Sequence, residues 1–153
     1  MGDSGGGLAQ LSVPLIFSVM SVTKLKKKLD VVFSRYVRTR DLDDNGRATC
    51  FTCGVQKPWK ELHAGHFQSR SKLATRFDEV NVQVQCPRCN LWNQGEQYQF
   101  ALNLDEHYGA GTAQRIVAAS NGTRRISAGE YQQLIAHYEA ETQKNLEEGG
   151  RTR

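Results

Sequence analysis

Apolar positions recur along the chain with two different periods, and these predict a helical start, a strand-rich middle and a helical end. Over residues 23–40, Leu25, Leu29, Val32, Phe33, Tyr36 and Val37 fall at steps of three and four, the stripe of an amphipathic helix. The run Asp41-Leu42-Asp43-Asp44-Asn45-Gly46 ends that helix in turn chemistry. It lacks the full loop and closing Glu of a calcium site, so it reads as a turn. Residues 47–51 read as a short strand, and Trp59, Leu62 and Phe67 as packing positions. Val80, Val82 and Val84 alternate with Asn81, Gln83 and Gln85, which predicts a strand with one buried face. A helix is then expected to carry Asn90, Trp92 and Asn93. Residues 95–108 read as helical, with Tyr98, Ala101, Leu102, Leu104 and Tyr108 as the apolar set, broken by Gly109-Ala110-Gly111. A short helix over 113–119 stops at Asn121-Gly122. Ser127-Ala128-Gly129-Glu130 fits a capping box that opens a helix with Tyr131, Leu134, Ile135 and Tyr138 on one face.

The cysteines change this picture most. Cys50, Cys53, Cys86 and Cys89 form two C-x-x-C units, the spacing of a tetrahedral Cys₄ zinc site. A closed thiolate shell leaves no open position, so this Zn²⁺ is expected to be structural. Gly54 after the first pair permits a tight knuckle, and Pro87 inside the second suits the first turn of a helix. Two disulfides would need an oxidising compartment, and a redox C-x-x-C would need a βαβ context that is lacking.

Composition then bounds the class. The chain has 153 residues, 39% hydrophobic and 8% aromatic, enough for one domain with a modest core that a metal would supplement. Net charge is +4 and the sequence pI about 9.0, a balance that suits a polyanionic partner. Lys24, Lys26, Lys27, Lys28, Arg35 and Arg38 on the polar side of the first helix are the candidate contacts to DNA phosphates, against the plainer reading of a solvated face. Residues 11–20 are largely apolar and interrupted by Pro14, but Asp3 precedes them and lysines follow, the reverse of a secretory signal. No stretch has the length of a membrane span, so a cytoplasmic protein is the expectation. The expected organisation is α+β: a disordered tail over 1–22, one domain over 23–146 with a zinc-knuckled core at 45–95, and a disordered tail over 147–153.

Between the cysteine pairs lie His66 and Asn81, and Asn90 directly follows the second pair; the three are a set suited to phosphodiester hydrolysis. That reaction needs a base to activate water and a divalent cation to stabilise the leaving oxygen. Imidazole titrates close enough to neutrality to be the base. A strand-end His facing a helix start, both fixed by one zinc cluster, would supply the rigidity.

The segments Gly65-His66-Phe67, Asn81-Val82 and Cys86-Pro87-Arg88-Cys89-Asn90 resemble the His–Asn–His motif of zinc-knuckled ββα-metal (His-Me finger, treble-clef-like) nucleases, with Asn in the third place. Residues 25–138 resemble the NinG (Rap) recombination endonucleases of lambda-like phages. The carrying segments are Phe33-Ser34-Arg35-Tyr36-Val37-Arg38, Cys50-Phe51-Thr52-Cys53-Gly54, Ala64-Gly65-His66-Phe67-Gln68-Ser69-Arg70 and Thr75-Arg76-Phe77-Asp78-Glu79-Val80-Asn81-Val82. The resemblance implies cleavage of Holliday junctions and D-loops, with His66 as general base and Asn81 holding the His66 loop. Arg70 and Arg76 would grip phosphate, and Asn90 would bind catalytic Mg²⁺ or Mn²⁺. An Asp often precedes the catalytic His in this class; here that residue is Gly65, and Asp78, His63 or water molecules are the expected substitutes. Branched double-stranded DNA is the implied partner, with recombination proteins beside it, and a homodimer would suit the cutting of two strands. The host-cell cytoplasm is the implied setting. The rivals are a non-catalytic zinc-stabilised nucleic-acid-binding module and a thiol-based redox or zinc-storage protein.

Overall fold

The computed structural model describes residues 20–149. Helix α1 (Val22–Thr39) and helix α5 (Ala128–Glu148) pack against each other and form the largest core. Between them in sequence come β1 (Arg47–Thr49), β2 (Gln56–Pro58), a 3₁₀ turn (Trp59–Glu61), β3 (His63–His66), the one-turn helix α2 (Leu73–Arg76) and β4 (Val82–Gln85). A π-helical turn (Arg88–Trp92), α3 (Gln97–Tyr108) and α4 (Thr112–Ser120) complete the order. The expected α+β class is met by two antiparallel hairpins, β1–β2 and β3–β4, set among helices.

The apolar stripe of α1 is buried as its spacing requires: Leu25, Leu29, Val32, Phe33 and Val37 are all inside. Each such side chain stabilises by roughly 1.5–3 kcal/mol relative to exposure. Phe33 meets Phe77 and Tyr138 edge-on at centroid distances of 5.8 and 4.9 Å, tying α1 to both the His66 loop and α5. The Ser21 hydroxyl accepts the Lys24 N–H at the start of α1. The Ser127–Glu130 capping box is complete, with bonds of 3.2 and 2.9 Å. Helix α5 runs to Glu148, two residues into the stretch expected to be a tail. Residues 1–19 and 150–153, the rest of the expected tails, lie outside the described residues. Among the described residues no helix is long and apolar enough to cross a membrane.

Three local expectations are corrected. All four residues of β4 are buried, so the strand has no solvent face. Its amides are covered by protein: Gln83 donates to the Tyr108 hydroxyl of α3 and accepts from Arg40, and Gln85 donates to Thr52 and to the Gly95 carbonyl. The segment after the second cysteine pair is a single π turn, closed by Asn93 N–H donating to the Arg88 carbonyl at 2.9 Å. The chain then passes through left-handed backbone at Gln94 and Glu96. This re-aims α3, so Phe100 and Leu104 are its buried pair while Tyr98, Leu102 and Tyr108 are exposed.

Candidate functional site

The hairpins bring the two C-x-x-C units together. Cys50 and Cys53 sit in the knuckle after β1, where the Gly54 N–H donates to the Cys50 carbonyl and Gly54 takes φ +77°. Cys86 directly follows β4 and Cys89 lies in the π turn. The four Sγ atoms lie within 4.8 Å of one another, with Cys53 and Cys86 3.7 Å apart. A regular tetrahedron of Zn–S bonds near 2.3 Å has edges of about 3.8 Å. All four are free thiols; Cys50, Cys86 and Cys89 are buried and Cys53 is exposed. The donor set and its spacing fit Zn²⁺.

The thiols' electrostatics lead the same way. Burial pushes the Cys50 thiol up, but hydrogen bonds from the Thr52 hydroxyl and from nearby backbone N–H groups outweigh it and bring its pKa to about 6. Burial, reinforced by the neighbouring thiols, pushes Cys89 up to about 12. Four thiolates at this separation repel strongly, so full ionisation requires a cation among them.

His66 ends β3. Its Nε2 lies 2.9 Å from the Arg76 carbonyl oxygen. A carbonyl only accepts, so Nε2 carries the proton and Nδ1 keeps its lone pair. The ring borders a cleft of about 360 Å³ between β3 and α1, shared with Asp30, Ser34, Arg38 and Arg70. Burial pushes the imidazole pKa below its ordinary 6.5, and the charges of Arg70 and Arg76 add to this against the Arg76 carbonyl bond and Asp30. The resulting neutral, singly protonated imidazole has the form a general base needs.

Asn81 is fully buried. Its Oδ1 accepts the Gln68 N–H at 2.7 Å, and its Nδ2 donates to the carbonyls of Gln68 and Thr75 at 3.1 and 2.9 Å. It therefore pins both ends of the loop that supplies Arg70 and the Arg76 carbonyl. Arg76 is itself held by Asp30, with Nε–Oδ1 2.8 Å and Nη2–Oδ2 2.6 Å, while Arg70 reaches the same Oδ2 at 3.1 Å. The arginines thus pair with Asp30 rather than with Asp78 or Glu79. Asp78 uses Oδ1 to accept the N–H groups of Val80 and Asn81, and Glu79 accepts the hydroxyls of Tyr36 and Tyr138.

Asn90 stands apart from this cleft. Its Nδ2 is 3.1 Å from Nδ1 of His63. His63 and His66 are three residues apart on one strand and point to opposite faces. His66 and Asn81 are therefore joined by one loop, whereas Asn90 belongs with His63 behind it. The side chain absent at residue 65 has a steric reason: a Cβ there would run into the Gln85 amide oxygen. A Mg²⁺ site is ordinarily built on one or two carboxylates. Here Asp30 is committed to arginines and Asp78 to a turn, and among the described residues only the cysteines converge as three or more His, Cys, Asp or Glu. The residues around His66 do not fit a carboxylate-held Mg²⁺, and His63–Asn90 supplies only imidazole nitrogen and an amide.

The basic positions of α1 divide between two sides. Arg38 borders the His66 cleft with its guanidinium 5.1 Å from the Trp59 ring centroid. Lys27 precedes Val31, Ser34 and Arg38 at steps of four, three and four, in the same row. Lys28 pairs with Glu139 of α5 at 3.9 Å, and Arg35 shares a groove with that glutamate on the other side. Lys24 is exposed in the first turn and Lys26 is half-buried. The cleft residue missed in the sequence is Asp30. Its signal is that it is the sole acid in an otherwise basic helix.

Fold and site together define a small α+β domain in which four clustered cysteines that could hold a metal ion lie in the same fold as a cleft bordered by the half-buried His66. The family described as Bacteriophage Lambda NinG protein matches residues 17–148, and the chain belongs to that family. Membership points to a function associated with phage recombination. No curated protein and no solved structure matches the chain.

Proposed function

We propose that this protein is a DNA endonuclease that hydrolyses phosphodiester bonds in branched recombination intermediates such as Holliday junctions, in the cytoplasm of a phage-infected bacterium. The observation that carries the reading is the His66 Nε2–Arg76 carbonyl bond, which leaves Nδ1 as an acceptor in a cleft flanked by Arg38 and Arg70. Water bound at Nδ1 gives up one proton to the ring and attacks phosphorus, the P–O3′ bond breaks, the departing O3′ takes a proton from solvent, and 5′-phosphate and 3′-hydroxyl ends result. The Arg70 guanidinium faces the charge that gathers on the phosphoryl oxygens. A divalent cation, when bound, would supply charge neutralisation at the leaving oxygen; the residues around His66 assign it no place. Backbone contacts and DNA shape, rather than base edges, suit a cleft of this composition.

The test is a labelled four-way junction with and without Mg²⁺ or Mn²⁺, cut by wild type and His66→Ala. Wild type is expected to cut and the Ala variant to bind without cutting; equal cutting by both overturns the reading. A second reading, a zinc-stabilised DNA-binding module without cleavage, draws on the placement of Asn90 with His63 away from the His66 cleft. It predicts junction binding and no cutting by either protein in either ion.

A further inference from the structure

Two guanidinium groups converge on one carboxylate oxygen inside the cleft, and they are held very unequally. Arg76 makes two short parallel bonds to Asp30, and its remaining Nη1 donates to the Arg70 carbonyl at 2.7 Å. Its side chain is 15% exposed. Arg70 makes one contact of 3.1 Å to an oxygen that Arg76 already occupies, and its side chain is 57% exposed. The Asp30 side chain is 14% exposed and sits on α1, in the helix whose row of Lys27 and Arg38 runs along the same cleft. A bidentate Arg–carboxylate pair is strong and directional, whereas an exposed single contact is worth at most about 1 kcal/mol.

We propose that Asp30 is an internal stand-in for a nucleic-acid phosphate: it holds Arg70 over the cleft in the free protein and releases it to a backbone phosphodiester when DNA enters, while keeping Arg76 in place. This rests on the reading of the His66 cleft as a DNA site, and it separates the two arginines that sequence alone treats alike. Arg70 is the phosphate contact. Arg76 is a positioning residue that acts through its carbonyl on His66. Asp30 is a positioning residue whose charge competes with substrate, which screens the cleft against weakly held anions and aims the guanidinium before DNA arrives. The exchange costs little, because the Arg70–Asp30 contact is exposed and Asp30 keeps its bidentate partner. In return Arg70 gains a phosphate in a cleft that Arg38 also lines, with Arg76 beside it on Asp30.

The experiment measures binding of a labelled four-way junction to the cleavage-deficient His66→Ala protein, so that it reads the exchange and not the chemistry. Asp30→Asn is expected to tighten binding by up to about fivefold, the worth of one exposed ion pair. Arg70→Gln is expected to weaken binding and to lower the slope of log affinity against log salt by about 1. In the Asp30→Asn/Arg70→Gln double variant the Asp30 effect should vanish. Equal Asp30→Asn effects with and without Arg70, weaker binding by a folded Asp30→Asn protein, an unchanged salt slope in Arg70→Gln, or no junction binding at all each overturns the proposal. Should Asp30→Asn fail to fold, the salt slope of Arg70→Gln decides, together with the Asp30 carboxyl ¹³C shift, which is expected to move when DNA is added. Failure of junction cutting by wild type, with this binding pattern intact, would remove the endonuclease reading and leave the exchange standing.

Discussion

The amide oxygen of Gln85 fills the space that a side chain at residue 65 would need. Gln85 is fully buried, and its Nε2 is committed to the Thr52 hydroxyl and the Gly95 carbonyl, so the amide cannot swing aside without breaking those bonds. Gly65→Ala should therefore destabilise the protein by about 2–3 kcal/mol, from overpacking plus a lost buried hydrogen bond. Urea unfolding checks this, and the Gly65→Ala/Gln85→Ala pair should cost less than the sum of the singles because the second change makes room for the first. An unaltered midpoint in Gly65→Ala would show that the hairpin tolerates a side chain there.

The four thiols stitch two hairpins that otherwise share few apolar residues: among the described residues, Ala48, Leu62 and Val84 are the non-cysteine members of their buried cluster. The purified protein should carry one zinc per chain by mass spectrometry. Its removal by a strong chelator, or Cys86→Ser, should cost on the order of 10 kcal/mol of metal-linked folding energy and unfold residues 45–95. The exposed Cys53 should resist alkylation until the metal is removed. A zinc-free protein with wild-type melting would contradict a structural role.

Helices α1 and α5 were legible because each writes its own signal: an unbroken stripe in one and a Ser–Glu cap in the other. The cysteine pairs were legible for a similar reason, since spacing and residue type carry their chemistry, whereas the role of Asn81 came only from the family resemblance. Strand β4 was not. Alternating Val and Gln look the same whether the amides meet water or meet Tyr108, Arg40, Thr52 and Gly95. The face of α3 does not follow from apolar spacing, because three consecutive left-handed residues, Gln94, Gly95 and Glu96, set where the helix starts, and only the middle one is a glycine that announces it. Asp30 went unread because a lone acid in a basic helix gains meaning only when a loop 46 positions away brings Arg76 to it.

Asn81→Ala removes one acceptor and two donor contacts from a site with no solvent access, and leaves the Gln68 N–H without its partner. The expected loss is about 3–5 kcal/mol. Asn81→Asp should be at least as harmful, because a carboxylate would face the Gln68 and Thr75 carbonyls where an amide now donates. Urea unfolding gives the magnitudes, and in a folded variant the ring resonances of His66 should broaden as its loop loosens. Sharp, unmoved His66 signals in Asn81→Ala would show that the asparagine does not position the base.

The depressed pKa of His66 has a definite sign in both stability and rate. Its folded value lies below the ordinary 6.5, chiefly through burial and secondarily through the charges of Arg70 and Arg76. Below 6.5 the unfolded chain therefore binds more protons than the folded one. The stability owed to the neutral ring is complete above 6.5 and is lost as pH falls through the folded value. Junction cleavage by a neutral base should rise along the same limb and be flat from pH 7 to 8. Arg70→Gln removes one of the charges that disfavour the imidazolium, so its limb should move toward higher pH, and an NMR titration of His66 should move with it. The same titration should show Nδ1 as the unprotonated nitrogen of the neutral ring, as the Arg76 carbonyl requires. A limb above 6.5 in the wild type, or a proton on Nδ1 in place of Nε2, would remove His66 from the role of base.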